Sequence, residues 1–220
     1  MLIKRFALCY DVNMSQKQFL LVVGALYLGA LGWSAWQPHD YPTWLMEVGP
    51  SLVGVAVLAL TYRRFKFSRA AYLIVLVHSL ILIWGAKYTY AENPLFNYLK
   101  DVFDWQRNNY DKLGHFVQGF FPAFLVREVV IRQQVFAKKS WISWFVMGVV
   151  ALVTSIYEII EWSASVLLGG SADAFLGTQG YVWDTQSDML LALVGGLIAC
   201  VCFGAMYDRY LAHTTSKTKK

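Results

Sequence analysis

Six runs of apolar residues alternate with short polar segments along the chain, at positions 18–36, 44–62, 70–88, 112–130, 141–163 and 188–207. A run of about 20 residues, at roughly 1.5 Å per residue, spans the ~30 Å hydrocarbon core of a bilayer, so each predicts a transmembrane helix. Between the first two runs stands Gln37-Pro38-His39-Asp40-Tyr41-Pro42, a short turn that predicts an antiparallel helical hairpin. The connection over 89–111 is longer. Within it Leu95, Phe96, Leu99, Val102 and Phe103 recur at helical spacing among Asn97, Lys100, Asp101 and Asp104. We read positions 94–105 as a short interfacial segment, with Asn93 as cap and Pro94 in the first turn; a plain surface connector is the alternative.

Composition agrees with the pattern: 57% of the 220 residues are hydrophobic and only 15% charged, which excludes an ordinary soluble domain. Six spans use more than half the chain, so one integral membrane domain covering 1–220 is expected. The fold class is all-α, a polytopic membrane bundle of six transmembrane helices. Nine Trp and thirteen Tyr suit helices anchored at the headgroup level and need no nucleic-acid partner. Cys9, Cys200 and Cys202 show no disulfide or zinc-ribbon spacing. The N-terminal stretch has no small-residue cleavage site before the first apolar run, which predicts an uncleaved anchor.

A net charge of +5 invites a phosphate-bearing partner until the cations are placed on the six-span scheme. Lys4, Arg5, Lys17, Arg63, Arg64, Lys66, Arg69, Arg127, Arg132, Lys138, Lys139, Arg209, Lys217, Lys219 and Lys220 then fall on one side, and only Lys87, Lys100, Arg107 and Lys112 on the other. The positive-inside rule makes the first side cytoplasmic and puts both termini there. In a bacterial cell the membrane is the inner membrane. The acids distribute oppositely, with only Asp11, Glu128 and Asp208 on the cytoplasmic side. Arg127 and Glu128 read as snorkelling interfacial charges.

An ionisable group in the middle of a span costs about 2.5–3.5 kcal/mol on the most lenient scale, so such groups are the informative exceptions. Asp111 and His115 are four residues apart at the outer start of the fourth span. Glu158 and Glu161 are three apart in the outer half of the fifth, and Asp184 and Asp188 four apart at the outer start of the sixth. Each pair shares a helix face, and the topology brings all three pairs to one level. One imidazole and up to five carboxylates suit a divalent cation such as Mg, Mn, Fe or Zn. The expected ligands are His115, Glu158, Glu161, Asp184 and Asp188. Without metal, Glu158, Glu161 and Asp184 supply a general acid/base set. Asp111, Lys112, Tyr157 and Gln186 are expected around them, with Gln118 and Gln179 as further donors and Lys112 neutralising part of the charge. Asp111 and Asp188 also fit helix-start acids, and His78, near the middle of the third span, fits a structural hydrogen-bonding role. The loop over 168–186 carries Gly169, Gly170, Gly177 and Gly180 and is expected to fold over the pocket. Its glycines make no phosphate-loop motif, and no nucleotide site is indicated.

Four segments together resemble the YjdF family of bacterial inner-membrane proteins. They are Asn93-Pro94-Leu95-Phe96, Tyr110-Asp111-Lys112-Leu113-Gly114-His115-Phe116, Tyr157-Glu158-Ile159-Ile160-Glu161-Trp162, and Leu176-Gly177-Thr178-Gln179-Gly180 through Trp183-Asp184-Thr185-Gln186-Ser187-Asp188-Met189. Where the family places an acid directly after the glycine at position 180, this chain has Tyr181-Val182, so no acid from there is counted in the site. The order Asp-Lys-x-x-His, Glu-x-x-Glu and Asp-x-x-x-Asp, followed by Gly195-Gly196, is similar to VanZ-like membrane proteins. That similarity implies an envelope or lipid-related role and supplies no reaction.

Three functions compete on this reading. The first is a metal-assisted enzyme acting on a lipid or envelope precursor at the outer leaflet, with membrane lipids as partners. The second is a small transporter or ion-binding protein, which needs a polar path inward past His78. The third is a structural protein whose polar cluster holds helices together. Apolar inner halves and the lack of an inverted repeat disfavour transport.

Overall fold

The computed structural model describes residues 14–168 and 179–218. The helices are α1 (Gln16–Ala35), α2 (Tyr41–Thr61), α3 (Arg69–Tyr88), α4 (Pro94–Val102), α5 (Tyr110–Arg132), α6 (Ser140–Leu168), α7 (Asp184–Ile198) and α8 (Gly204–Thr218). A 3-10 turn, Tyr90–Glu92, precedes α4, and a π-helical segment, Ala199–Phe203, joins α7 to α8 in one continuous rod. No strand occurs among the described residues.

Local chemistry accounts for the boundaries. Ser15 and Gln18 form a reciprocal capping box at the start of α1. Asp40 accepts the Thr43 N–H at 2.8 Å, a bond that opens α2 and holds the Asp40 carboxyl below its ordinary pKa. Asn93 caps α4, with Pro94 in its first turn. A helix therefore stands where the interfacial segment is expected, ending at Val102 rather than at 105, and Leu95, Tyr98 and Val102 on it are exposed.

Among the described residues, five helical runs are long and apolar enough to cross a membrane: α1, α2, α3, α6 and the rod beginning at Asp184. The 23-residue α5 is equally long, but it carries Asp111, Lys112, His115, Arg127, Glu128 and Arg132. It affords them because it lies inside the bundle: Asp111, His115, Arg127 and Glu128 are all buried. Helix ends also meet in two layers, as alternating chain direction requires. In one layer the Lys87 ammonium, at the end of α3, donates to the carbonyls of Trp36 and Gln37, between α1 and α2. The Tyr110 hydroxyl, at the start of α5, donates to the Ile81 carbonyl on α3.

The opposite layer corrects one expectation. Arg127 and Glu128 do not snorkel. Glu128 is wholly buried and accepts from Ser68 N, Ser68 Oγ, Tyr207 OH and Arg132 Nη1, at 2.6–2.7 Å. Arg127 donates from Nε and Nη2 to the two Asp208 oxygens at 2.6 and 2.8 Å, and from Nη1 to Ser143. The carboxylate caps α3 from another helix, and the fork joins α5, α6 and α8. Lys4, Arg5, Cys9 and Asp11 lie outside the described residues, as do Gly169, Gly170 and Gly177 of the loop expected to cover the site.

Glycines set the tightest packing. A Cβ on Gly119 would lie 1.8 Å from the Ala192 carbonyl oxygen, and one on Gly195 would lie 2.1 Å from that of Phe116. Helices α5 and α7 therefore cross backbone to backbone, as small residues permit within a membrane. Gly119→Ala and Gly195→Ala should each lower stability by about 1–3 kcal/mol through overpacking, with a less than additive double variant. Gly148→Ala, where a Cβ meets open space, should be neutral or slightly stabilising. Unfolding midpoints in detergent check all four.

Candidate functional site

The glycine crossing aligns the outer turns of α5 and α7. Lys112 and His115 stand seven and four residues before Gly119, while Asp188 stands seven before Gly195. At these spacings the side chains lie one to two turns above the crossing and face across it.

The segments entering both helices are clasped. Asn108 N donates to Gln179 Oε1 at 3.0 Å, and Gln179 Nε2 donates back to the Asn108 carbonyl at 2.8 Å. The Asn108 amide also donates to Asn93 O and Asn97 Oδ1, which ties in the start of α4. Tyr110 then sits fully buried against Trp84, Tyr90 and Phe96, with edge-on ring centroids 5.1–5.8 Å away. Beside it Glu47 Oε1 accepts from Tyr90 N and Thr89 Oγ1, a buried contact the sequence reading did not single out. Burial in this aromatic nest pushes the Tyr90 phenol well above its ordinary pKa.

Two charge systems lie on this scaffold. In the first, the Lys112 ammonium donates to Asp184 Oδ1 and Asp188 Oδ1, both at 2.7 Å, and Arg107 Nη1 donates to Asp184 Oδ1 at 2.8 Å. Asp111 Oδ2 is 3.8 Å from Lys112 and 3.9 Å from Arg107. Arg107 was counted in the sequence only as an outer cation; its place four residues before Asp111 was the signal for a closer role.

The second system surrounds His115, which is 3% exposed. Its Nε2 lies 3.4 Å from Asp111 Oδ1 and its Nδ1 3.6 Å from Glu158 Oε1. Two buried groups offer ligand atoms within 4.8 Å of one another, Asp111 with His115 and Asp188, and His115 with Glu158 and Glu161. Asp184 belongs to neither group among the described residues, being held by Arg107 and Lys112. The structure thus brings together His115, Glu158, Glu161 and Asp188, adds Asp111, and sets Asp184 to one side. Tyr157 packs edge-on to His115 at 5.9 Å. Gln186 is exposed. A cavity of about 20 Å³, room for about one water, lies between Gln118, Tyr157, His115 and His78.

Asp111 Oδ2, His115 Nδ1 and Glu158 Oε1 are buried without a hydrogen-bond partner. Neither Glu158 nor Glu161 has a Lys or Arg within ion-pair distance among the described residues. Uncompensated carboxylates at this burial need a proton or a cation.

Fold and site together define a multi-pass helical membrane protein with a buried His/carboxylate cluster near one end of the bundle. Residues 19–209 match the family described as "Predicted membrane protein (DUF2238)", and the chain belongs to that family. It is similar to the inner membrane protein YjdF of Escherichia coli (strain K12), 40% identical over 173 residues that cover 79% of this chain and 83% of the relative. No solved structure matches.

Removing Lys112 leaves two buried aspartates sharing no ammonium. Lys112→Met should therefore destabilise the protein by about 3–5 kcal/mol, and adding Asp188→Asn should restore part of that loss. Denaturant titration in detergent measures both.

Proposed function

We propose that the protein is a metal-assisted enzyme of the bacterial inner membrane that acts on a lipid or envelope precursor at the outer leaflet. The carrying observation is the sharing of one buried imidazole, His115, by two carboxylate groups of ligand geometry. A neutral imidazole offers one lone pair, so it completes one group and donates its other N–H to the opposite carboxylate. Asp188 is already bonded to Lys112, whereas Glu158 and Glu161 have no such cation. We therefore assign the divalent ion to His115, Glu158 and Glu161, with Asp111 orienting the ring through Nε2, the carboxylate–histidine–metal arrangement. Such an ion would supply Lewis-acid activation of an ester or phosphoryl oxygen, or of a bound water. Tyr157 and Asp111 would position it and exclude bulk solvent.

The membrane frame of this reading has six crossings, with α5 as the sixth, and both termini in the cytoplasm. Burial of the α5 charges supports the sixth crossing, the cation distribution supports the orientation, and the printed name of the E. coli relative supports the inner membrane. A structural role is the second reading, favoured by the Lys112 bridge between α5 and α7.

Elemental mass spectrometry of the purified protein tests the metal. Wild type should carry close to one divalent ion per chain. His115→Ala and Glu161→Gln should lower occupancy about 10–100-fold after equal dialysis, while Asp184→Asn retains the ion. A metal-free wild type overturns the assignment and leaves the structural reading. Orientation is tested by single cysteines introduced into a cysteine-free background. Lys139→Cys should react with an impermeant maleimide only after the cytoplasmic face is opened, and Lys100→Cys in intact cells; the reverse pattern overturns the topology.

A further inference from the structure

Beside the His/carboxylate cluster lies a separate open cleft of about 400 Å³, within the roughly 300–1,000 Å³ typical of small-molecule sites. Its polar wall carries Arg107 and Lys112, flanked by Tyr181 and Ser187, and its apolar wall is Leu190 and Leu191. Among the described residues no carboxylate lines it. Asp111, Asp184 and Asp188 are 4%, 7% and 2% exposed and lie behind the two cations, holding them in place. Among the described residues, Arg107 and Lys112 are therefore the charged groups on the cleft wall. Tyr181 supports both heads, with its ring centroid 5.5 Å from the Arg107 guanidinium carbon and 5.6 Å from Lys112 Nζ. Two of the three Lys112 donors are placed on Asp184 and Asp188, which orients the ammonium without using its full capacity.

Helices α5 and α7 both begin at this cleft, and neither Asn109 nor Trp183 caps its helix through a side chain. Asp111 and Asp184, in the first turns of these helices, already meet the positive dipole ends, so the cleft's attraction for an anion rests on the two cations. The apolar wall has a different meaning. Leu190 is six residues into α7 from Asp184, about 9 Å farther along the helix axis, and is 60% exposed on the outside of the bundle. The cleft thus presents cations at the level of the helix starts and leucines about 9 Å farther along α7. A small soluble anion would use only the first half of that surface.

We infer that this cleft docks a phosphate-headed membrane lipid, its phosphate against Arg107 and Lys112 and its chains along Leu190 and Leu191. As an assignment of substrate class this rests on the metal-enzyme reading, since the docked headgroup lies beside the His115 cluster. As a binding site it is testable without the metal.

The test titrates the delipidated full-length protein in neutral detergent with phosphatidylglycerol or with diacylglycerol of the same chains, and counts bound lipid by native mass spectrometry. All titrations run in EDTA, so a failure here overturns the docking alone, while the elemental assay alone decides the metal. Wild type should retain phosphatidylglycerol about tenfold more strongly than diacylglycerol. Arg107→Gln should abolish that preference. Ser187→Glu keeps every ion pair of the aspartates, gives up the exposed Ser187–Tyr181 hydroxyl bond and adds a negative charge to the cleft, so it should abolish the preference with an unfolding midpoint close to that of wild type. Lys138→Gln, on the opposite side, should leave it unchanged. Equal retention of the two lipids, or a preference that survives in both cleft variants, overturns the proposal. Displacement of phosphatidylglycerol by millimolar inorganic phosphate makes the ligand a soluble phosphate and overturns the lipid assignment.

Discussion

The backbone contact between α5 and α7 is the constraint on which the outer half of the molecule depends. Helices separated by ordinary side chains stand about 8–10 Å apart, and those side chains fill the space in which short polar groups of two helices would otherwise meet. Gly119 against Ala192, and Gly195 against Phe116, remove that spacer. The Lys112 bridge to Asp184 and Asp188 follows directly from the approach, and so does the placing of Asp188 within ligand distance of His115 and Asp111. Helix α6 then closes the third side and brings in Glu158 and Glu161. Within a bilayer, where apolar surface gains little from leaving lipid, such close contact and the polar bonds above it are the forces that hold helices together.

The two ends of the bundle treat buried charge differently. On the Glu128 side, both carboxylate oxygens are bonded, and Arg127 grips Asp208 with two parallel bonds. That is the pattern of a structural lock, in which each group removed from water has a replacement partner. On the His115 side, three adjacent groups keep unpartnered buried atoms, and two glutamates face an imidazole with no lysine or arginine within ion-pair distance among the described residues. Among the described residues, His115 is the basic group within ion-pair distance of Glu158, at 3.6 Å, while Asp111 also lies 3.8–3.9 Å from Lys112 and Arg107. A structural role explains the Lys112 bridge but not the carboxylates left over, and the leftover carboxylates are what favour a cation-binding function.

Much of this was legible in the sequence, for a physical reason: a membrane forbids unexplained charge. Apolar runs of span length marked the helices, and the exceptions within them, His115, Glu158, Glu161 and Asp188, marked residues that the structure gathers. Single-chain periodicity could not assign the partners. Asp184 and Asp188 look equivalent in sequence, yet only Asp188 lies near the imidazole, because Arg107 arrives from a connector whose path depends on the Asn108–Gln179 clasp. Gln186 shares the polar segment with both aspartates but is exposed. Arg127 and Glu128 were misread because their position near a helix end suits snorkelling, and only tertiary contacts from Ser68, Tyr207 and Asp208 show them buried. Glu47 was hidden for the same reason, since its partners Thr89 and Tyr90 lie more than forty residues away.

The distinction between lock and site also explains why the cations of the outer half are so few yet so placed. Lys112 and Arg107 serve two surfaces at once: their inner sides hold the aspartates that fix the α5–α7 geometry, and their outer sides form the wall of the cleft. Neutralising the aspartates keeps those carboxylates from competing for the ion we assign to Glu158 and Glu161. The same contacts hold both cationic heads still, which lowers the ordering cost of meeting an anionic headgroup. A lysine on a free helix face would do neither. The arrangement therefore couples the stability of the helix pair to the geometry of the cleft, so that a change at the glycine crossing should disturb the His115 cluster and the Arg107–Lys112 wall together although it touches neither.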